Sequence, residues 1–533
     1  MDRQAGVTSA ESVATKWPLG KAFVVALFIF VMAQHALWWL PPYHDAALHW
    51  ESAQVFFARP WFPFVVEHDT GHPPLIAWTL GVLWHLPLPR VLTMHLLGWA
   101  AAALLCAALF DLGRRTLGFL EGLCLAALVG LHPLVLAQAL QLNLDLFQVA
   151  FAWTAVAGAV AGRPWQVALA LTASSMTKLN GPFAVPPMAV FLLWRLWRQG
   201  TWRELRRVAF SLWPVAVPTA VFLLYHALKW RLTGHFLVGP EFREENLGFV
   251  GGTLDYLIRL WHSLNQIFAF HNSNFVLLIM IVGLLIVLLI LRRDPQCARA
   301  LRRQLRALPP TANFQHTFRQ LSTAEALFLA WLTALCHIGF WTLRQYFALV
   351  RHMLGAYPAL ALTLLVTACL AFPRQRRRVL GAVVLPVLAL SFLTSHPSHT
   401  SFLPPSLAEH FYFPPTGIAT NHENNLELVD ELAVARISLA EIEQHFGATA
   451  TIETRWPFNF FFRDPSLGMV RTPMPVVNRN ADVIFRPGCS VEGSVESVLT
   501  PPSGYQLWSS HRRGRVVDAI FVKASATLTT PGK

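Results

Sequence analysis

Tyr43-His44-Asp45 follows the first long apolar run of the chain, and His49 and Ser52 come four and seven residues after Asp45. On a helix these three share one face. Glu67-His68-Asp69 then leads to His72-Pro73-Pro74-Leu75, and Gln141-Leu142-Asn143-Leu144-Asp145 sets a second acid beside another apolar run. Ionisable residues at such places are costly to keep in a membrane and read as functional. An aspartate held at a membrane edge can take the proton of a hydroxyl that must become a nucleophile. Lys178, in Met176-Thr177-Lys178-Leu179-Asn180-Gly181-Pro182, and Arg351, ahead of Tyr357-Pro358, are cations suited to a phosphate.

Each residue also has a plainer reading. Asp45 suits an N-cap on an interfacial helix, and Asp145 suits an N-cap on a helix over 146–162. Lys178 can snorkel to the interface. Glu67, His68, Asp69 and His72 read as a solvated turn. His68, His72 and Asp69 are also candidate ligands of a divalent ion, at looser spacing than a zinc motif has. From the residues alone both sets of readings stand.

The elements that must position these groups are membrane spans. Of 533 residues, 54% are hydrophobic and 13% are charged, and mean hydropathy is +0.45. A soluble protein carries about 25% charged residues. Apolar runs occur at 20–40, 91–112, 117–135, 145–162, 165–177, 182–195, 208–228, 274–291, 323–343, 347–371 and 379–395. A span needs about 20 residues, so these predict about eleven spans, two of them short. The net charge of +13 sits in clusters between runs, such as Arg114-Arg115, Arg195 to Arg207, Arg292 to Arg306 and Arg374 to Arg378. That is the positive-inside pattern rather than a nucleic-acid footprint.

Parity then fixes the sides. If the run 74–89 does not cross and the N-terminus is inside, every Arg cluster falls inside. Asp45 and Asp145 then share the outer face, as do Lys178 and Arg351. Residues 1–19 are expected to be a cytoplasmic tail. The first run ends Trp38-Trp39-Leu40-Pro41-Pro42 with no small-residue cleavage site, so it reads as an uncleaved span. Residues 20–395 form the membrane domain, with a first outer loop at 41–73. The six Cys are scattered and suggest neither a disulfide nor a structural zinc.

From 396 to 533 the composition is that of a soluble domain. Ser438-Leu439-Ala440-Glu441 reads as a capping box opening a helix that Gly447 closes. Strands are expected at 448–454 and 482–485, with a hairpin turning at His511 to Gly514. The fold class is an all-α polytopic membrane domain followed by a small α/β extracytoplasmic domain. No dinucleotide fingerprint or P-loop is present.

In order, Asp45, His72-Pro73-Pro74-Leu75, Asp145, Lys178 to Pro182, and Arg351 with Tyr357-Pro358 resemble the GT-C membrane glycosyltransferases. The likeness is nearest to the protein O-mannosyltransferase and lipid A aminoarabinose transferase branch, the glycosyltransferase 39/83-like proteins. It covers roughly residues 20–395. Family members often carry Asp-Glu where this chain has Asp45-Ala46, and the aminoarabinose branch has Lys where it has His72.

The resemblance implies a sugar donor carried on a polyprenyl phosphate. It implies Asp45 as catalytic base, with Asp145 beside it in the catalytic pair, and Lys178, Arg351 and His72 against the donor phosphate. The expected function is transfer of a sugar to a lipid, glycan or protein acceptor at the periplasmic face of a bacterial inner membrane. The partners are then the carrier lipid, the bilayer and the acceptor, with no nucleic acid. No cofactor is required, beyond the divalent ion that His68, His72 and Asp69 leave room for. The rivals are a transporter or flippase of a lipid-linked or anionic solute, which predicts two related halves, and a non-catalytic scaffold for the tail domain.

Overall fold

Long apolar helices set the architecture. The computed structural model describes all residues except 1–18, 44, 62–71, 238–250, 270–272, 294–320, 345–349, 373–374, 397–403, 405–425, 488–497, 515 and 525–533. The helices are α1 (Leu19–Gln34), α2 (Asp45–Ala58), α3 (Leu75–Leu83), α4 (Arg90–Thr116), α5 (Phe119–Gly130), α6 (Pro133–Leu140), α7 (Leu144–Val160), α8 (Pro164–Ser175) and α9 (Val185–Arg198). They continue as α10 (Leu205–Thr233), α11 (Thr253–Ala269), α12 (Ser273–Arg293), α13 (Thr323–Arg344), α14 (Tyr357–Ala371) and α15 (Arg376–Ser395). Short 3-10 turns at Gly181–Ala184 and Val350–Ala356 lead into α9 and α14.

This is a multi-pass membrane protein, but the expected eleven spans are not what the described helices show. Six are long and apolar enough to cross a membrane, or seven if α5 and α6, bent by 64° at their junction, make one span. The apolar runs near 145–162, 165–177 and 182–195 fold into helices of 17, 12 and 14 residues. At ~1.5 Å per residue these reach about 18–26 Å, short of a ~30 Å core. One face of each packs on protein, where Trp153, Val160, Val167 and Phe191 are fully or almost fully buried, while Trp165, Leu169 and Trp197 stay exposed. The run 74–89 yields only the nine residues of α3, too short to cross a ~30 Å core. A Cβ on Gly81 would meet the Ala53 carbonyl at 2.7 Å, so glycine lets α3 lie against α2.

The tail is a four-stranded sheet covered by a helix. The strands are β1 (Ile452–Glu453), β2 (Val483–Arg486), β3 (Tyr505–Arg513) and β4 (Val516–Lys523), and the helices are α16 (Leu428–Phe446) and α17 (Phe458–Arg463). The order is β1-β2-β4-β3, with β1 parallel to β2 and the other pairs antiparallel. The predicted hairpin is present, turning at Gly514 with φ +57°. The helix closes at Gly447 as expected, but Ser438 lies inside it rather than at its start. The preceding residues, Ala433 to Ile437, already continue the helix, and the buried Ser438 hydroxyl donates instead to Asp518 Oδ2 at 3.4 Å. The expected strand over 448–454 shrinks to two residues.

Candidate active site

Asp45 opens α2, where an acid favours the positive end of a helix. Its Oδ2 accepts from Arg351 Nη2 at 2.8 Å. Asp145 does not cap its helix. Asn143 holds that place, its side chain accepting from the Asp145 backbone N–H at 3.1 Å. Leu142 before it stands at φ +50° while buried, a left-handed conformation that costs a non-glycine residue about 1–2 kcal/mol. That turn lets α7 start with only three residues between it and α6, and it frees the Asp145 carboxylate for its neighbours. Oδ1 accepts from Lys178 Nζ at 2.8 Å, and Oδ2 lies 3.5 Å from Arg351 Nε.

Lys178 does not snorkel: it is buried, with Nζ 5.0 Å from the ring centroid of Trp341. Its segment turns back tightly, because Gly181 N–H donates to the Lys178 carbonyl at 2.7 Å. A Cβ on Gly181 would stand 1.8 Å from the Ser174 carbonyl oxygen, so only glycine permits the turn. Arg351 is fixed through its neighbours. His352 stacks on Trp341 at 3.7 Å with 3° between planes, its carbonyl meets His337 Nε2 at 2.6 Å, and Trp153 Nε1 donates to the Gly355 carbonyl at 3.2 Å.

The result is an alternating row, Asp45–Arg351–Asp145–Lys178, drawn from four segments of the chain. Alternation matters because a buried charge must be paired to be tolerated. Exposure is graded along the row: the Asp45 side chain is 37% exposed, Arg351 and Lys178 are 8% and 9%, and Asp145 is 1%. A solvent-borne group therefore meets Asp45 first.

His49, one turn after Asp45, is buried in the field of all four charges. Burial, the largest cause, pushes its pKa down to about 4, against the pull of Asp45 and Asp145. It is neutral at pH 7. His72 brings its ring 6.2 Å from that of His49, and Leu75 N–H donates to the Met176 carbonyl at 3.1 Å, tying the His72-Pro73-Pro74-Leu75 turn to the Lys178 segment. His68 and Asp69 lie outside the described residues, and among the described residues no group of three or more His, Cys, Asp or Glu is placed to hold a metal ion. The structure thus brings Asp45, Asp145, Lys178 and Arg351 together and sets His72 beside His49. Sequence reasoning placed His49 on the Asp45 face but did not enlist it. It also missed Asp464, which touches α2 from the tail and had no local signal.

No protein-family model matches this chain, and no curated protein does. Among solved structures it is similar to ArnT from Cupriavidus metallidurans in the apo state, at 14% identity over 92% of this chain and 97% of that one, with TM-score 0.48. It is similar also to the same protein bound to undecaprenyl phosphate, at 15% identity over 95% and 99%, with TM-score 0.47.

Proposed function

We propose that this chain is a membrane glycosyltransferase. It moves a sugar from a polyprenyl-phosphate donor to a lipid, glycan or protein acceptor, at the periplasmic face of a bacterial inner membrane. The observation that carries the reading is Arg351. It joins the exposed Asp45 to the buried Asp145, and through Asp145 to Lys178, so a proton acceptor and two phosphate-binding cations stand in one row.

The acceptor hydroxyl attacks the anomeric carbon. The new glycosidic C–O bond forms as the anomeric carbon–phosphate oxygen bond breaks, and the hydroxyl proton passes to Asp45. The polyprenyl phosphate leaves with its charge held by Arg351 and Lys178, which stabilise it most where charge develops. Asp145 reaches neither substrate. It keeps both cations charged and aimed. The neutral His49 can donate or accept a hydrogen bond beside Asp45 without adding charge. One displacement inverts the anomeric centre, and no soluble nucleotide is needed.

The test is transfer from a radiolabelled polyprenyl-phosphate sugar to envelope fractions, with donor binding measured separately. Wild-type protein transfers label and binds undecaprenyl phosphate. Asp45→Asn binds it and does not transfer, whereas Arg351→Ala with Lys178→Ala does not bind it. Undiminished binding in that double variant would remove the phosphate site. Reporter fusions at Arg198 and Lys533 test sidedness, and a cytoplasmic signal at Lys533 would overturn the periplasmic tail.

A further inference from the structure

The tail domain reaches the helix that carries Asp45, and a single carboxylate makes the connection. Asp464 follows α17 and divides its two oxygens between two tasks. Oδ1 accepts from Ser466 N–H at 2.9 Å and caps the turn Pro465–Leu467. Oδ2 accepts from Gln54 Nε2 at 2.8 Å and from Trp50 Nε1 at 3.3 Å. Trp50 and Gln54 are one turn apart on α2, so both donors lie on one face of that helix. On its other side the fully buried Trp50 meets the Trp84 ring edge-on at 4.6 Å. At the start of α2, Tyr43 lies edge-on to Phe458 of the tail at 5.8 Å, and its hydroxyl bonds the buried Glu431. The helix is therefore held at its beginning and at its middle by residues far along the chain.

We infer that Asp464 is a positioning residue: by accepting from Trp50 and Gln54 it fixes the rotation of α2 and with it the direction of the Asp45 carboxylate. This rests on Asp45 being the base. Two hydrogen bonds to one ionised oxygen are charge-assisted, and charge-assisted bonds are the stronger class. A helix free to rotate would carry Asp45 off the line of the attacking hydroxyl, and a shift of about 1 Å costs on the order of 10²-fold in rate. Lys178 and Arg351 stand on other segments, so the donor phosphate would keep its hold.

Asp464→Asn keeps Oδ1 for the cap and turns an NH2 toward two donors. Gln54→Glu sets a carboxylate against Asp464. The two changes together restore a donor–acceptor pair with the roles exchanged. In the full-length protein each single change is expected to lower kcat about 10- to 100-fold, leave undecaprenyl phosphate affinity unchanged and speed amide exchange over residues 46–58. The double variant recovers rate and protection in part, through the residue-54 arm, because Trp50 Nε1 still faces an NH2. Exchange reads the clamp without any turnover. A wild-type protein that transfers no sugar would remove the glycosyltransferase reading, and the exchange pattern would still decide the clamp. Unaltered exchange in both singles overturns the inference, and so does a loss in the singles that the double repairs in no part.

Discussion

Two groups of buried charges, one on α4 around Asp111 and one around Asp145, differ in how they are made. Asp111 gathers Arg114 Nη2 at 2.5 Å and Arg115 Nε at 3.0 Å from its own helix, with Arg163 at 3.8 Å. Asp145 gathers Lys178 from 33 residues away, and Asp45 takes Arg351 from 306 residues away. The first group forms as soon as its helix does, because i,i+3 and i,i+4 neighbours meet on any helix. The second exists only when the whole bundle is assembled. Its charges also run from the buried Asp145 out to the half-open Asp45, whereas Asp111 is sealed. A cluster assembled from distant segments and opened at one end is costly to keep for stability alone. That contrast is the case for function at one cluster and structure at the other.

The sharpest way to break the contrast is to remove the acid from each. Asp45→Asn is expected to lose 10²–10⁴-fold in turnover, the usual worth of a general base, with an unchanged melting temperature. Asp111→Asn should keep its turnover per folded molecule and lose about 3 kcal/mol of stability, read by detergent-phase denaturation, because Arg114 stays buried without its acid. Equal behaviour of the two variants would erase the distinction.

Next in size is Asp145→Ala. It leaves Arg351 and Lys178 facing each other, so stability is expected to fall by about 3–5 kcal/mol and undecaprenyl phosphate affinity to change with it. Asp145→Asn should be milder in stability. Intact stability in Asp145→Ala would show that water reaches the row.

Arg351→Ala alone is expected to weaken undecaprenyl phosphate binding about 10-fold or more, since a hydrogen bond to a charged group contributes ~1.5–3 kcal/mol. Lys178→Ala should do the same. Arg115→Ala, at the other cluster, should leave binding untouched. Isothermal titration of all three separates a site effect from a general one.

The smallest expected effect is on pH. Burial pushes Glu431 up to about 8 from its ordinary 4.5, against the hydrogen bond from Tyr43 and the charge of Arg455, while Asp518 and Glu427 raise it further. A proton held in the folded form and released in the unfolded one stabilises the fold at low pH. That stability is complete below about 4.5 and is lost as pH rises through about 8. Docking of the tail on Tyr43 should therefore loosen across that window, and Glu431→Gln should flatten the slope. Limited proteolysis at several pH values reads it, and an identical slope in the variant would exclude Glu431 as its source.

Much of the site was legible because a membrane makes charge conspicuous. Asp45, Asp145, Lys178 and Arg351 each interrupt or end an apolar run, and positive-inside parity put them on one side. Their pairing was not legible, since nothing local in Arg351-His352-Met353 points to Asp45. The capping reading of Asp145 lost to the tertiary fold, with Asn143 taking the cap that Asp145 was offered. Among the described residues six or seven helices rather than eleven are long and apolar enough to cross, since hydropathy does not tell an apolar surface that faces lipid from one that faces protein. In the tail, the Ser438 to Glu441 pattern was real, but a capping box needs a non-helical serine, and the helix had already begun at Leu428.

On the proposed function, the bond between Asp45 and Arg351 is expected to act also as an interlock on the order of events. The Arg351 guanidinium bonds Asp45 Oδ2, one of the two carboxylate oxygens open to the proton of an attacking hydroxyl. An acceptor arriving first finds its base already engaged. An incoming phosphate competes for the same guanidinium and releases that oxygen at the moment a sugar is in place to be attacked. Turnover by the proposed reaction is then expected to follow a compulsory sequence, donor before acceptor, and an acceptor analogue to inhibit only after the carrier lipid has loaded. Random-order kinetics would show that the guanidinium lets go without help.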